Sequence, residues 1–203
     1  MTTELDDRLQ RLSSSLYPPD SLLDDLPVDG YRPASGPWHP RLAAVLVPIV
    51  LLPSPAVILT VRSGALKSHA GQVALPGGGR CGAESFPLGT ALRESQEEIG
   101  IAPAAVRVIG LARCFDTISA YRVVPVVGVL DAAPMLVPCP REVLNIFSVP
   151  LERVLEAGSY RRHHIRHRRR QYEVWSMLSE RWPIWGATAA ILAHLAELAK
   201  GKR

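Results

Sequence analysis

Three glutamates are spaced along the chain as ligands for a hard cation would be. Glu94, Glu97 and Glu98 stand at i, i+3 and i+4, so on a helix their carboxylates share one face. Like charges at this spacing repel one another, and a divalent cation offsets that repulsion. Carboxylate oxygens are ligands that Mg²⁺ and Mn²⁺ prefer. The pattern therefore indicates a Mg²⁺ or Mn²⁺ site; the alternative is an ordinary solvated helix face.

A glycine-rich segment, LPGGGRCGAE, precedes these glutamates. Glycine lets the backbone approach a ligand closely, as a phosphate or metal site requires. Gly77 and Gly78 are therefore predicted to bind substrate. Leu88 to Ile99 follows with the period of an amphipathic helix, and its apolar face points away from the carboxylates. A glycine loop leading into an acidic helix favours phosphate chemistry over a solvated surface.

The segment GGGRCGAESFPLGTALRESQEEIGI resembles the Nudix box, in which a glycine loop, an early glutamate and an RExxEExG helix recur at fixed spacing. The resemblance implies a metal-dependent hydrolase that cleaves a phosphoanhydride with water. It implies that Glu94, Glu97 and Glu98 are the metal ligands, with Glu94 also a candidate base. Arg93 would orient these carboxylates.

The early glutamate of the box is displaced by one residue. The usual spacing places it at Ser85, whereas the nearest acid in this chain is Glu84. The coenzyme A branch of the family tolerates a similar extra residue, so we expect a structural or outer-shell role for Glu84. The alternative from another class is a catalytically silent Nudix-fold regulator that binds a nucleotide. A silent protein has no reason to keep three mutually repelling carboxylates, which favours an enzyme.

The segment ILTVRSGALKSHAGQVALPGG resembles the accessory signature of Nudix coenzyme A pyrophosphatases, as do the stretches DTISAYRVVPVVGVL and IWGATAAIL elsewhere. Lys67 stands where arginine is usual, and Leu75 where phenylalanine is usual. The reaction implied is CoA plus water giving 3′,5′-ADP and 4′-phosphopantetheine. Arg62, Lys67 and His69 are candidate phosphate contacts. The alternative substrates are ADP-ribose, a dinucleoside polyphosphate, capped RNA or an oxidised nucleotide.

The positive charge of the chain is concentrated in one segment. The formal net charge is +4, and Arg161 to Arg170 (RRHHIRHRRR) contains six arginines, which leaves 17 basic against 19 acidic residues elsewhere. A local basic segment indicates one anionic ligand or patch rather than a uniform nucleic-acid surface. A solvated hairpin tip, the 3′-phosphate of CoA, an acidic partner and nucleic acid remain open as interpretations.

Length and composition predict one domain with an N-terminal extension. The chain has 203 residues, of which 47% are hydrophobic, enough for one sizeable core. We predict an N-terminal helix and linker over residues 1–40 and a Nudix hydrolase domain over 41–200. The N-terminus lacks the pattern of a secretory signal, the longest apolar stretch is too short to span a bilayer, and the three cysteines form no CxxC pair. These features predict a cytoplasmic protein without a membrane partner, and they leave a homodimer open.

Strand-like runs alternate with helical segments along the chain. The predicted strands are Ala43–Leu52, Ala56–Val61, Val106–Cys114 and Arg122–Leu130, and two more are expected within 160–178. Further amphipathic helices are predicted over 4–15 and 184–198. Pro125 predicts an edge or a bulge, and Trp185 is expected to pack in the core. This mixture indicates an α+β fold, and the resemblance implies a Nudix α/β/α sandwich with a mixed sheet and a catalytic loop–helix–loop.

Overall fold

The fold is a mixed β-sheet between layers of helices. The computed structural model describes residues 3–31, 33, 37–167, 170–179 and 181–201. Within these residues nine strands form one sheet and three strands form a second, smaller sheet. The α+β class predicted from the sequence is confirmed.

The helices and strands of the described residues have the following bounds. The helices are α1 (Thr3–Ser15), α2 (Leu88–Ile99), α3 (Leu151–Val154) and α4 (Gly186–Ala199). The large sheet contains β1 (Val28–Gly30), β2 (Arg41–Val50), β3 (Ala56–Arg62), β4 (Val73–Ala74), β5 (Gly77–Gly79), β6 (Arg107–Leu111), β7 (Cys114–Asp116), β8 (Tyr121–Leu130) and β9 (Val143–Pro150). The small sheet contains β10 (Tyr160–His167), β11 (Arg170–Met177) and β12 (Ile184–Trp185).

Strands β2 and β8 form the centre of the large sheet. They run parallel to each other, and the strand order is β1-β7-β8-β2-β3-β4, with β5 also on β2, β6 on β8 and β9 on β3. Alternate side chains of β2 enter two different cores: Val47 and Ile49 lie on one face, and Leu46 and Val50 on the other. Burial on both faces explains the near-continuous apolar runs of these strands.

Each face of the sheet is covered by different helices. The core on one face includes leucines of α1 and α4, such as Leu12 and Leu192. The core on the other face includes Ala91 and Ile99 of α2. This arrangement places α2, with its acidic stripe, on the opposite side of the sheet from the terminal helices.

Of the two alternatives predicted at Pro125, a sheet edge or a bulge, the edge is wrong. The chain from Leu111 to Phe115 has one residue more than the paired stretch from Val123 to Val126, which is a bulge opposite Pro125. Strand β8 lies inside the sheet, with β2 on one side and both β7 and β6 on the other. Pro125 stands between Val123, which pairs with β7, and Val126, which pairs with β6, and its carbonyl accepts a hydrogen bond from the Ala112 N–H at 3.0 Å. A proline without an N–H is accommodated there because the neighbouring strand is itself interrupted.

The N-terminal forty residues are more than a helix and a linker. Leu12 of α1 is fully buried in the core shared with α4. Arg8 donates a hydrogen bond to the carbonyl of Leu155 at the end of α3, and Arg11 donates to the carbonyl of Ala199 at the end of α4, at 2.9 Å. These contacts satisfy carbonyls that helix ends leave free. Strand β1, in the predicted linker, pairs with β7, so this segment extends the sheet.

The other predicted elements fall close to their places in the chain. Helix α2 begins and ends at the predicted residues. Strands β10 and β11 form a hairpin across the basic segment. Arg168 and Arg169 of this segment lie outside the described residues. Strands β4, β5, β9 and β12 were not predicted as strands. In the described part of the chain, no helix is long and apolar enough to cross a membrane.

Candidate active site

Helix α2 is fixed by its apolar face and by a glycine at its end. Ala91, Ser95 and Ile99 are buried against the sheet, and the Ser95 hydroxyl donates a hydrogen bond to the Ala91 carbonyl at 2.7 Å, which satisfies a polar group at a core position. Gly100 ends the helix at φ 77°, a left-handed conformation that favours glycine. The carboxylates of Glu94 and Glu98 consequently lie beside β5.

Three carboxylates converge beside the glycine-rich strand. One oxygen each of Glu94, Glu98 and Glu142 lies within 4.8 Å of the others. Glu94 and Glu98 were predicted from the helix, whereas Glu142 comes from the loop before β9 and was missed. A lone glutamate between Arg141 and Val143 carries no local signal in the sequence, and only the course of the chain brings it to the helix.

Glu98 is the most enclosed member of this cluster. It is 3% exposed, it accepts a hydrogen bond from the Gly77 N–H at 3.0 Å, and Arg62 lies 3.9 Å away. Burial raises the pKa of Glu98 to about 7, against the lowering effects of Gly77 and Arg62. Burial also raises the pKa of Glu94. The charges of Glu142 and Glu94 add to the raised pKa of Glu98, and a positive partner would relieve this repulsion.

Gly78 permits the close approach of β5 to the helix. A β-carbon at this position would lie 2.5 Å from the carboxylate of Glu94, closer than any such contact in a folded protein. Only glycine therefore lets the strand lie against this side chain. Gly77 and Gly78 are thus both adjacent to the acidic cluster. The Gly77 N–H binds Glu98, and the absence of a side chain at Gly78 leaves room for Glu94.

Arg93 binds three carboxylates with its three nitrogens. Its Nε lies 2.7 Å from Glu84, one terminal nitrogen lies 2.6 Å from Glu94, and the other lies 2.8 Å from Glu97. Only a planar guanidinium presents donors in such a fork. Arg93 therefore fixes the orientation of the acidic groups on and before the helix.

Glu84 occupies a structural position beside Arg93. It accepts hydrogen bonds from Arg93, from the Thr90 hydroxyl at 2.7 Å and from the Cys81 N–H at 3.1 Å. These bonds, that of Arg93 first, lower the pKa of Glu84 to about 2. The extra residue in the loop thus leaves an early glutamate in contact with the arginine of the box.

Glu97 points away from the acidic cluster. Its side chain is 58% exposed, and its carboxylate is engaged by Arg93. Its role as a metal ligand stays a prediction.

The described residues fit a divalent cation. Glu94, Glu98 and Glu142 offer only oxygen, the donor type that Mg²⁺ and Mn²⁺ take, and their separation of at most 4.8 Å suits a common ion. The guanidinium of Arg62 lies 3.9 Å from the Glu98 carboxylate, too far to donate a hydrogen bond to it. A bound cation would supply the charge that this cluster lacks.

A single large cleft runs from these carboxylates across the sheet. Its volume is ≈1580 Å³, larger than the roughly 300–1,000 Å³ usual for small-ligand sites. Of the residues predicted to bind substrate, Arg62, His69, Gly77 and Gly78 line the cleft. Lys67 is exposed and lies outside the lining. The structure therefore brings together most, but not all, of the predicted phosphate contacts.

The rest of the cleft is lined by residues that the sequence did not single out. Ala43, Val45 and Val123 of the central strands line it on the α4 side of the sheet. Trp175 and His194 also line it. These residues come from strands and a helix that are distant in the chain, so no motif connects them.

Aromatic and basic side chains of the small sheet face this cleft. Trp185 is 42% exposed and lines it, so the prediction that Trp185 packs in the core is wrong. Arg162 also lines it, with its guanidinium 5.1 Å from the ring centre of Trp175. Arg161 instead donates to the backbone carbonyls of Gly158 and Tyr160. Only part of the basic segment therefore contributes to the cleft.

Comparison with known proteins places this site in a family. Residues 40–170 match the model of the NUDIX domain. NudL of Shigella flexneri, an uncharacterized Nudix hydrolase, is 41% identical over 79% of this chain and 83% of its own length. NudL of Klebsiella pneumoniae subsp. pneumoniae, also uncharacterized, is 39% identical over 81% of this chain and 86% of its own. The crystal structure of the M. smegmatis Nudix hydrolase RenU is 28% identical over 58% of this chain and 74% of that one, with a TM-score of 0.44.

Proposed function

This chain belongs to the Nudix family of pyrophosphohydrolases, and from that premise we propose that it hydrolyses the phosphoanhydride of coenzyme A or a CoA derivative. The products are 3′,5′-ADP and 4′-phosphopantetheine. One observation carries the proposal: one cleft contains both the cluster of three carboxylates and apolar side chains of the central strands and α4. A pyrophosphate with a long, weakly polar arm matches both parts.

The sequence supports the same substrate. The segment from Ile58 to Gly78, which resembles the CoA pyrophosphatase signature, supplies Arg62, His69 and Gly77 to the lining of the cleft. Arg62 lies at the carboxylate end, where a guanidinium can pair with phosphate oxygens. Lys67, in the same segment, is exposed and outside the lining, so we assign the phosphate contact to Arg62 first.

Glu94, Glu98 and Glu142 would hold Mg²⁺ or Mn²⁺ in this proposal. When bound, the cation neutralises charge on the phosphate oxygens and acidifies a water molecule. The Gly77 N–H fixes one oxygen of Glu98, and Arg93 fixes Glu94. Glu97 is retained as a predicted ligand, and Glu94 as the candidate base.

The chain's own groups then account for the chemistry of the hydrolysis. A water oxygen forms a bond to one phosphorus, the bridging P–O bond breaks, and a carboxylate accepts the proton of the water. Arg62 binds the phosphate oxygens on which charge accumulates. The glycine strand keeps side chains away from the reacting groups, since even a methyl group at Gly78 would displace Glu94.

Identification of the products tests this proposal. The purified chain is incubated with Mg²⁺ and, separately, with CoA, oxidised CoA, ADP-ribose, a dinucleoside polyphosphate, capped RNA and a nucleoside triphosphate, and the products are identified by mass. We expect 3′,5′-ADP and 4′-phosphopantetheine from CoA at the highest kcat/KM, and no turnover with chelator. A higher kcat/KM for another compound would overturn the CoA assignment and leave the acidic site in place.

A further inference from the structure

The end of the cleft opposite the carboxylates contains buried polar atoms that lack partners. Asp29, Arg113 and His194 line this end. His194 is only 8% exposed, and neither of its ring nitrogens has a hydrogen-bond partner in the described part of the chain. Arg113 donates to Asp29 at 2.8 Å, but within the same residues its buried Nε has no partner. Buried polar groups in folded proteins are nearly always paired, so these atoms indicate a bound polar group.

The surroundings of His194 favour a neutral polar ligand. Burial, with Arg113 as a second cause, lowers the pKa of His194 to about 4, so the ring is neutral near pH 7. A neutral imidazole offers one donor and one acceptor, which matches an amide. The charge of Arg113 is already shared with Asp29, which leaves little attraction for an anion.

Small and apolar side chains line the part of the cleft next to this end. Ala43, Ala112 and Val123 line it from the sheet, and Ala190 and Ile191 line it from α4. Small alanines leave space above the strands. This part of the cleft therefore has room for a ligand whose apolar atoms contact the alanines and Val123.

The strand order gives the lateral separation of β5, beside the carboxylates, from β7, beside Arg113. Gly78 of β5 pairs with Ala44 of β2, Ala44 pairs with Val124 of β8, and Arg113 directly precedes β7, the next strand. Three strand spacings separate the backbones of β5 and β7, which is about 14 Å. The 3′-phosphate of CoA is only one sugar ring from the pyrophosphate, too near to reach this end. The two amides of the pantetheine arm follow in series beyond its branched first carbons, so they lie much farther from the pyrophosphate than the 3′-phosphate does.

We propose that His194 and Arg113 form a subsite that binds an amide of the pantetheine arm, beside the small and apolar side chains that contact the intervening carbons. The proposal rests on the proposed function and deepens it, because it assigns the specificity for the arm to residues outside the Nudix box. His194 donates one hydrogen bond and accepts another, and the Arg113 Nε donates to an amide oxygen.

Separate binding of the two products tests the subsite. Isothermal titration calorimetry with the full chain and Mg²⁺ measures the Kd of 4′-phosphopantetheine and of 3′,5′-ADP. In His194→Leu we expect the Kd of 4′-phosphopantetheine to rise about ten- to a hundredfold, and that of 3′,5′-ADP to stay within about twofold. His194→Gln, which keeps a donor and an acceptor, is expected to restore part of the affinity.

Two further variants control the experiment. His163→Leu makes the same replacement at an exposed position outside the cleft lining, where His163 contacts Ser176, and should bind both products as the unmodified chain does. Arg113→Gln removes the second donor at a partly exposed side chain and should raise the Kd of 4′-phosphopantetheine severalfold. It serves as the test if His194→Leu does not fold, as judged by thermal unfolding.

The outcomes separate the subsite from the proposed function. A selective loss of 3′,5′-ADP affinity in His194→Leu would assign this end to the adenylate half and overturn the subsite, as would unchanged binding of both products. If the unmodified chain binds 4′-phosphopantetheine through His194 but does not cleave CoA, the proposed function fails and the subsite stands. If it cleaves CoA without binding 4′-phosphopantetheine, the subsite fails alone.

Discussion

The two ends of the cleft are built in opposite ways. At the carboxylate end, Arg93, Glu94, Glu97 and Glu98 come from one helix, and charged groups are held by multiple ion pairs. At the other end, residues 29, 113 and 194 come from three distant parts of the chain, and the central group is a buried, neutral histidine.

This difference separates the reaction from the choice of substrate. Carboxylates at i, i+3 and i+4 are positioned by helix geometry alone, so the chemistry fits in a short motif. The residues that line the far part of the cleft come from several strands and from α4, so they are scattered along the chain. Changes at the carboxylate end should therefore affect turnover, and changes at the far end should affect binding of the arm.

The largest loss of turnover is expected from Glu98→Gln. Changes that act on metal ligands indirectly cost about 10–100-fold, so loss of a buried ligand should lower kcat by at least roughly a hundredfold. Because burial raises the pKa of Glu98, the charged form is disfavoured in the folded chain, and the variant should be no less stable without metal. Steady-state rates check the loss of kcat, and thermal unfolding in the presence of chelator checks the stability without metal. Glu152→Gln, at an exposed position on α3, should keep the full rate; a normal rate in Glu98→Gln would contradict the assigned role.

A smaller effect is expected from Glu142→Gln. If the loop residue completes the cation site, the Mg²⁺ concentration for half-maximal rate should rise by about ten- to a hundredfold. Titration of Mg²⁺ in the hydrolysis assay measures this concentration, and Glu97→Gln is titrated in parallel for comparison. A comparable rise in Glu97→Gln would establish both residues as ligands, whereas an unchanged Mg²⁺ requirement in Glu142→Gln would remove Glu142 from the site.

A still smaller loss is expected from Gly78→Ala. The added methyl group would meet the Glu94 carboxylate at 2.5 Å, and a displaced catalytic group should lower kcat by roughly tenfold. Gly64→Ala is the matched control, because a β-carbon there meets no atom within 4 Å. Equal rates for the two variants would show that β5 moves freely relative to α2, against the close packing described above.

The last prediction concerns the pH dependence of stability and uses His194→Leu. The pKa of His194 is lowered from 6.5 to about 4, so between these values the unfolded chain binds a proton that the folded chain does not. Stability should therefore fall as the pH drops from 6.5 to 4, by up to about 3 kcal/mol. Urea unfolding at several pH values should show a shallower decline in His194→Leu. His163→Leu should keep the original slope, and identical slopes in all three chains would exclude a buried neutral His194.

Prediction from the sequence succeeded where a feature depends on neighbouring residues. The bounds of α2 follow from its apolar period and the glycine after Ile99, and the contacts of Arg93 with Glu94 and Glu97 follow from their positions on one helix. The contact of Arg93 with Glu84 was not predicted. The predicted edge at Pro125 failed because the break in the neighbouring strand, which lets an interior strand contain proline, is a property of another part of the chain.

By itself, the sequence determined the family, the α+β class, the helix that carries Glu94 and Glu98, and the glycine-rich segment before it. Backbone geometry fixes those relations over a few residues, so spacing is enough to reveal them. Only the tertiary structure decided that Glu142 joins Glu94 and Glu98, that Trp185 faces the cleft, and that His194 is buried without a partner among the described residues. These relations depend on how β-strands and helices pack across the sheet, and residues more than forty positions apart carry no periodic signal of their contact.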